Sequence, residues 1–199
     1  FRMLMAKIPD ADRIRVGYAY SDIVTECTFS GQTCSSTHFT QFLHPDYGVC
    51  YTFNINFVTN RPGPRTGLRI MFSVNQNRPS DNFDFLPTTD SSSVWAVAHD
   101  EGDLIDFGKN GFRVSSSFQT FIALSKVEYN RLDEPYGKCA DNDPEVNKYY
   151  EKYTASACQA VCLQKMANTD CGCVDPLYNK ISEQRYCETK EEKIIENKE

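Results

Sequence analysis

From Cys50 onward, apolar and polar residues alternate with a period of two. Tyr51, Phe53, Ile55 and Phe57 fall on one side, and Thr52, Asn54 and Asn56 on the other. This is the pattern of a strand with one buried face. After the turn-forming run Asn60-Arg61-Pro62-Gly63-Pro64, the residues Leu68, Ile70, Phe72 and Val74 repeat it. The two runs are therefore expected to be antiparallel neighbours. Residues 94–99 predict a further strand, and residues 118–131 a long one that runs into the turn Pro135-Tyr136-Gly137. Helical spacing appears at the two ends. Residues 17–27 carry Tyr18, Ile23 and Val24 with Ser21 as a candidate cap, and residues 39–43 predict a short helix. The clearest helix follows Thr154, a good N-cap, with strong helix formers over 155–166. Residues 1–16 are mixed, with a turn at Pro9-Asp10-Ala11-Asp12. Residues 77–93 are turn-rich, and a Lys/Glu-rich tail follows Cys187. Strands in the middle and helices at the ends give an α+β class.

Composition changes this picture in one respect. At 199 residues and 40% hydrophobic, with 13 Phe and 11 Tyr, the chain can bury a substantial core. The net charge of −6 argues against a nucleic-acid partner, which would need a basic patch. No apolar run approaches the ~20 residues of a membrane helix. The nine cysteines carry more information. Three lie within 27–50, none within 51–138 and six within 139–187, so two thiol-rich regions flank a thiol-free middle. Cys27 and Cys34 bracket a loop short enough for a disulfide to close. Cys158 and Cys162 are four apart and share one helical face, and Cys171 and Cys173 flank Gly172 where that helix is expected to stop. Those last four could in principle hold zinc, but the second pair is C-x-C and no His follows His99. Disulfides in an oxidising compartment fit better, and no metal or cofactor is expected. An odd count leaves at least one cysteine without a partner in the chain. Phe1 opens the sequence with neither a starting Met nor a signal peptide. The expectation is a piece of a longer extracellular or membrane-anchored protein.

Several signatures then occur together: Cys27-Thr28-Phe29-Ser30-Gly31-Gln32-Thr33-Cys34, Tyr47-Gly48-Val49-Cys50-Tyr51-Thr52-Phe53-Asn54, Gly67-Leu68-Arg69-Ile70 and Phe118-Gln119-Thr120-Phe121. Arg131-Leu132 with Pro135-Tyr136-Gly137-Lys138-Cys139, and the series Cys158, Cys162, Cys171, Cys173, complete the set. In order and spacing they resemble the extracellular domain of the degenerin / epithelial sodium channel / acid-sensing ion channel family over roughly residues 20–187. Tyr18-Ala19-Tyr20 and the Cys27–Cys34 loop look most like the invertebrate degenerin branch.

The resemblance implies a disulfide-rich, hand-like ectodomain with a mostly antiparallel β palm and β-ball and a helical finger and thumb. One extracellular domain covers 1–199: finger 1–49, palm strand and turn 50–66, β-ball and knuckle 67–117, palm strand and wrist turn 118–139, and incomplete thumb 140–199. It implies the pairs Cys27–Cys34 and Cys173–Cys187, and bridges from Cys50, Cys139, Cys158, Cys162 and Cys171 to residues outside the sequence. It implies other subunits of a homo- or heterotrimer as partners, and sodium passing through a pore outside these residues. The membrane would be reached through helices that are also absent, placing the chain on the extracellular side of the plasma membrane. The function implied is extracellular gating or sensing in an amiloride-sensitive, sodium-selective channel. The competing reading is a soluble, secreted, cysteine-rich binding module with no pore.

Three groups of residues carry candidate chemistry. Pro135, Tyr136 and Gly137 form the wrist turn, where the family's aromatic meets the first membrane helix. A bland reading makes Tyr136 a turn residue whose ring packs for stability. Asp90, Asp100, Glu101 and Asp103 are candidate proton sensors, since carboxylates close together raise one another's pKa. On an acidic chain, solvated turns are the plainer reading. His99, read as a sheet residue, has no nucleophile placed beside it, so no enzyme is expected.

Overall fold

The computed structural model of the chain describes residues 2–54, 59, 61, 63, 65–74, 92–129, 132, 134–137, 142–181 and 183–188. The second half of the 50–58 run, Asp90, Arg131, Cys139 and the tail after Glu188 lie outside those residues. Helices and antiparallel strands mix in two compact units. One comprises Asp10–Ala96 and Gly111–Ala123. The other comprises Phe1–Pro9, Val97–Asn110 and Leu124–Glu199.

The first unit opens with α2 (Asp10–Val16), which follows α1 (Arg2–Ala6) of the other unit. A helix, not a turn, begins at Asp10. Acidic Asp10 and Asp12 lie in its first turn, and they pair with Arg13 and Arg15 three residues on. The expected helix over 17–27 is reduced to α3 (Tyr20–Ile23), and the chain then extends as β1 (Val24–Phe29). β1 turns through Ser30 and Gly31, both at positive φ (52° and 80°), into β2 (Gln32–Thr33). Phe29 pairs with Gln32, so the loop is a two-residue hairpin turn of the kind Gly favours. The other edge of β1 pairs antiparallel with β5 (Leu68–Phe72).

A 3-10 turn, Ser36–His38, leads to β3 (Phe39–His44), which is a strand where a short helix was expected. β3 pairs antiparallel with β4 (Gly48–Phe53) from Phe39 opposite Phe53 to His44 opposite Gly48. Among the described residues the 50–58 and 68–74 runs do not pair with each other as expected: β4 pairs with β3 and β5 with β1, each partner lying earlier in the chain. β6 (Ser93–Val97) and β7 (Gly111–Ser115) form a third, two-stranded sheet, with α4 (Phe107–Asn110) between them in sequence. β6 stops at Val97, so His99 lies beyond the strand.

The core of this unit is Val24, Cys27 and Cys34, with Tyr20, Ile23, Phe39, Phe53, Ile70 and Phe72 packed around them. Phe39 is the middle ring of a row of aromatic contacts, 4.9 Å from Tyr20 and 5.1 Å from Phe53 between ring centroids. Both pairs are inclined, as ring quadrupoles prefer.

Residues 118–129 form no ladder among the described residues, although a long strand was expected there. Phe118, Phe121, Leu124, Val127 and Tyr129 are all exposed. These apolar residues stand three apart over most of the segment rather than alternating, so the pattern does not by itself place them on one face of a strand.

Candidate functional site

The other unit is organised by α5 (Ala155–Cys171). Thr154 caps it, its Oγ1 accepting from the Ala157 amide at 3.1 Å. Gly172, in the left-handed region at φ 64°, ends it with its N–H donating to the Asn168 carbonyl at 3.1 Å. The helix runs five residues further than 155–166, so Cys171 is its last residue rather than part of the following loop. Ala157, Ala160, Val161 and Gln164 are buried, at the i, i+3, i+4, i+7 spacing of one face. Val146 and Tyr150 complete the core, with Leu104, Tyr149, Tyr153, Cys158 and Tyr178 against it.

Gln164 has no exposed surface. Its Nε2 donates to the carbonyls of Asp175 (2.9 Å), Asn179 (3.1 Å) and Tyr178 (3.4 Å), and its Oε1 accepts from the Asp175 amide (2.7 Å). One side chain therefore fixes the loop 175–179 on the helix. Two tyrosines hold this loop and its continuation: the Tyr150 hydroxyl accepts from the Asn179 amide at 3.3 Å, and Tyr149 donates to the Ile181 carbonyl at 3.1 Å. Burial raises the pKa of the Tyr150 phenol. Nothing in the sequence singled out Gln164, because a glutamine on a helix reads as a solvated residue.

Just past the helix, Cys173 is joined to Cys187, with 5.0 Å between Cα atoms. Val174, fully buried, lies in a parallel bridge with Tyr186. Its amide donates to the Arg185 carbonyl at 3.0 Å, and its carbonyl accepts from the Cys187 amide at 2.9 Å. Cys27 is joined to Cys34 in the other unit, with 5.2 Å between Cα atoms. Cys50, Cys158, Cys162 and Cys171 are free thiols here. Cys173 is committed to a disulfide, so the four cysteines considered for zinc do not form a thiolate set. Burial pushes the Cys50 thiol up to about 11, so it carries no thiolate at neutral pH. Cys162 is exposed and Cys158 half-buried, one turn apart on α5. Replacing Cys173 and Cys187 by Ser opens a loop of 14-residue separation. It should lower unfolding stability by about 3 kcal/mol in the chain-entropy treatment. Urea titration followed by far-UV circular dichroism reads this, and an unmoved midpoint would show that the backbone bridge at Val174 holds the loop alone.

The turn Glu134–Tyr136 presents Tyr136 at 82% exposure, with Pro135 exposed and Gly137 half-buried. The ring does not pack for stability within the described residues. The acidic residues are paired with cations rather than with each other. Asp100 Oδ2 lies 3.1 Å from Lys126 Nζ, and Asp103 Oδ1 lies 2.8 Å from Lys152 Nζ. The hydrogen bond and charge of Lys126 hold the Asp100 carboxyl below its usual value, with small contributions from Lys152 and His99. The hydrogen bond to Asp103 raises Lys152. Glu101 is exposed in the same turn.

Residues 3–199 match the amiloride-sensitive sodium channel family. The chain belongs to that family. Among relatives, it is 31% identical to degenerin-like protein asic-2 of Caenorhabditis elegans, covering 85% of this chain and 32% of that protein. It is 32% identical to degenerin unc-8 of the same organism, over 94% of this chain and 24% of the relative. It is also 30% identical to the epithelial sodium channel subunit gamma of Pelodiscus sinensis, over 85% and 26% respectively. The chain thus spans about a third or less of the length of these relatives. The family is one of ion channels, not of enzymes. No helix of the described residues is long and apolar enough to cross a membrane.

Proposed function

We propose that these residues form extracellular gating machinery of a subunit in a trimeric, sodium-selective, amiloride-sensitive channel of the plasma membrane. The family match across residues 3–199 carries this reading. A secreted module without a pore is disfavoured because the relatives matched over most of this chain are channel proteins. On this reading Cys50, Cys139, Cys158, Cys162 and Cys171 are bridged to residues outside the sequence. Those on α5 staple the helix to a neighbouring thumb element, and Pro135, Tyr136 and Gly137 pass thumb motion to the pore. The helix is suited to that part: it is capped at both ends, and its buried face is locked by Gln164. Voltage clamp of oocytes expressing the full natural chain, alone and with co-expressed relatives, tests the proposal. A sodium current blocked by amiloride is expected. A protein delivered to the surface that passes no current under any of these combinations counts against it.

The electrostatics argue against direct proton gating through Asp100. The hydrogen bond and charge of Lys126 hold the Asp100 pKa below the usual carboxylate range, so it stays ionised in mildly acidic solution. What the pair contributes is complete above that range and is lost only as pH falls through the lower, folded value. Stepping from neutral pH to about pH 5 should therefore leave the pair charged and open no large inward current. A fast current at pH 5 that vanishes in Asp100→Asn would refute this.

A further inference from the structure

We infer that the outward face of the β1–β5 pair binds a small organic anion. In this antiparallel pair Cys27 lies opposite Ile70, and Thr28 opposite Arg69. Cys27 and Ile70 belong to the core of their unit. Strand alternation therefore sends Thr28 and Arg69 together to the other face. There they border a cavity of about 450 Å³ whose lining is completed by Arg65, Gln119 and Phe121. All five residues belong to one compact unit.

The lining carries two arginines and no carboxylate on an acidic chain. Acidic residues outnumber basic ones, 27 to 21, and most described arginines are engaged. Arg13 pairs with Asp10, Arg15 with Asp12, Arg2 with Asp175 and Arg185 with Glu188, while Arg113 lies over the ring of Trp95. Arg65 and Arg69 pair with no carboxylate among the described residues, and none lines the cavity. Two permanently charged guanidinium groups on one concave surface repel each other until an anion joins them. Each offers a planar fork of donors matched to a carboxylate or phosphate. The Thr28 hydroxyl and Gln119 amide are neutral donors in the same lining. A bare inorganic ion would leave most of this volume empty, whereas small-molecule sites begin at about 300 Å³. The Phe121 ring, 70% exposed, supplies an apolar wall. The ligand class is thus a carboxylate or phosphate monoester carrying an aromatic or aliphatic body.

Calorimetric titration of the purified full natural chain at low salt tests this, with phenyl phosphate, phenylacetate and inorganic phosphate as separate probes. Phenyl phosphate or phenylacetate should bind saturably, and at least tenfold more tightly than inorganic phosphate. The double variant Arg65→Gln/Arg69→Gln should weaken that binding at least tenfold. Arg65→Lys/Arg69→Lys, which keeps the charge but not the fork, should fall between. Phe121→Ala should bring phenyl phosphate down to the affinity of inorganic phosphate. Disulfide mapping of Cys27–Cys34 checks that each variant is folded, and the Lys pair decides the matter if the Gln pair is not. Absence of saturable binding by all three probes overturns the inference, as does unchanged affinity in the folded double variant. Inorganic phosphate binding as tightly as phenyl phosphate overturns the organic part of it. The readout is binding rather than current, so either result leaves the channel proposal to its own test.

Discussion

Gln164→Leu is expected to destabilise the α5 unit by roughly 3–5 kcal/mol, a severe effect for one nearly isosteric change. The buried amide makes three donor contacts and accepts one bond, all with the backbone of residues 175–179. Leucine fills similar volume but leaves the Asp175 amide and the Asp175 and Asn179 carbonyls without that partner. An orphaned buried polar group costs about 1–3 kcal/mol, while a satisfied neutral hydrogen bond contributes about 1. Gln164→Glu should be worse at neutral pH, because a carboxylate can only accept and would face three carbonyls. Burial and those carbonyls would raise the pKa of the introduced carboxyl. A carboxyl with a raised folded-state pKa is favoured when protonated, so this variant should regain stability as pH falls and lose it as pH rises. Urea midpoints at pH 5 and pH 8 decide the question. Equal midpoints for the wild type and both variants would mean that the loop does not depend on this side chain.

Tyr136→Ala is expected to abolish or strongly alter current while leaving assembly and surface delivery unchanged. The ring is 82% exposed, so the described fold loses almost nothing when it is removed. On the proposed reading, its contacts are made with another part of the channel. Tyr136→Phe and Tyr136→Trp keep an aromatic face and should be milder. Surface biotinylation measured beside voltage clamp gives current per delivered channel. If that ratio is unchanged in Tyr136→Ala, the coupling role is wrong. If delivery falls in step with current, the residue serves folding instead.

What the sequence made legible depended on whether the cause was local. The α5 helix could be read from Thr154 and the run of good helix formers, because capping and propensity act within a few residues. β4 and β5 could be read from alternation, and β6 lies within the strand expected at 94–99. β1 was misread for a specific reason. A bulge between Val24 and Glu26 shifts its register against β5, so its buried residues, Val24 and Cys27, lie three apart. Three is also a helical spacing, and a bulge imitates it. β3 has the same ambiguity, with Phe39, Phe42 and Leu43 at helical offsets, and it is settled as a strand by pairing with β4. The helix at Asp10 had a local signal, the two Asp–Arg pairs, that the neighbouring Pro9 masked. Gln164 had none, since its partners are backbone groups more than ten residues away.

The segment 118–129 has a consequence for how such a protein must be made. It has no ladder among the described residues, and Phe118, Phe121, Leu124 and Tyr129 are each at least 70% exposed. Uncovered backbone of this kind is a template for pairing, and identical copies offer it an in-register match. During synthesis, several growing chains on one message would hold many copies of that template close together. The order in which segments meet then matters as much as their affinity. Cover supplied late leaves time for copies to join edge to edge, and raising the rate of synthesis would favour fibrous deposits over delivered protein.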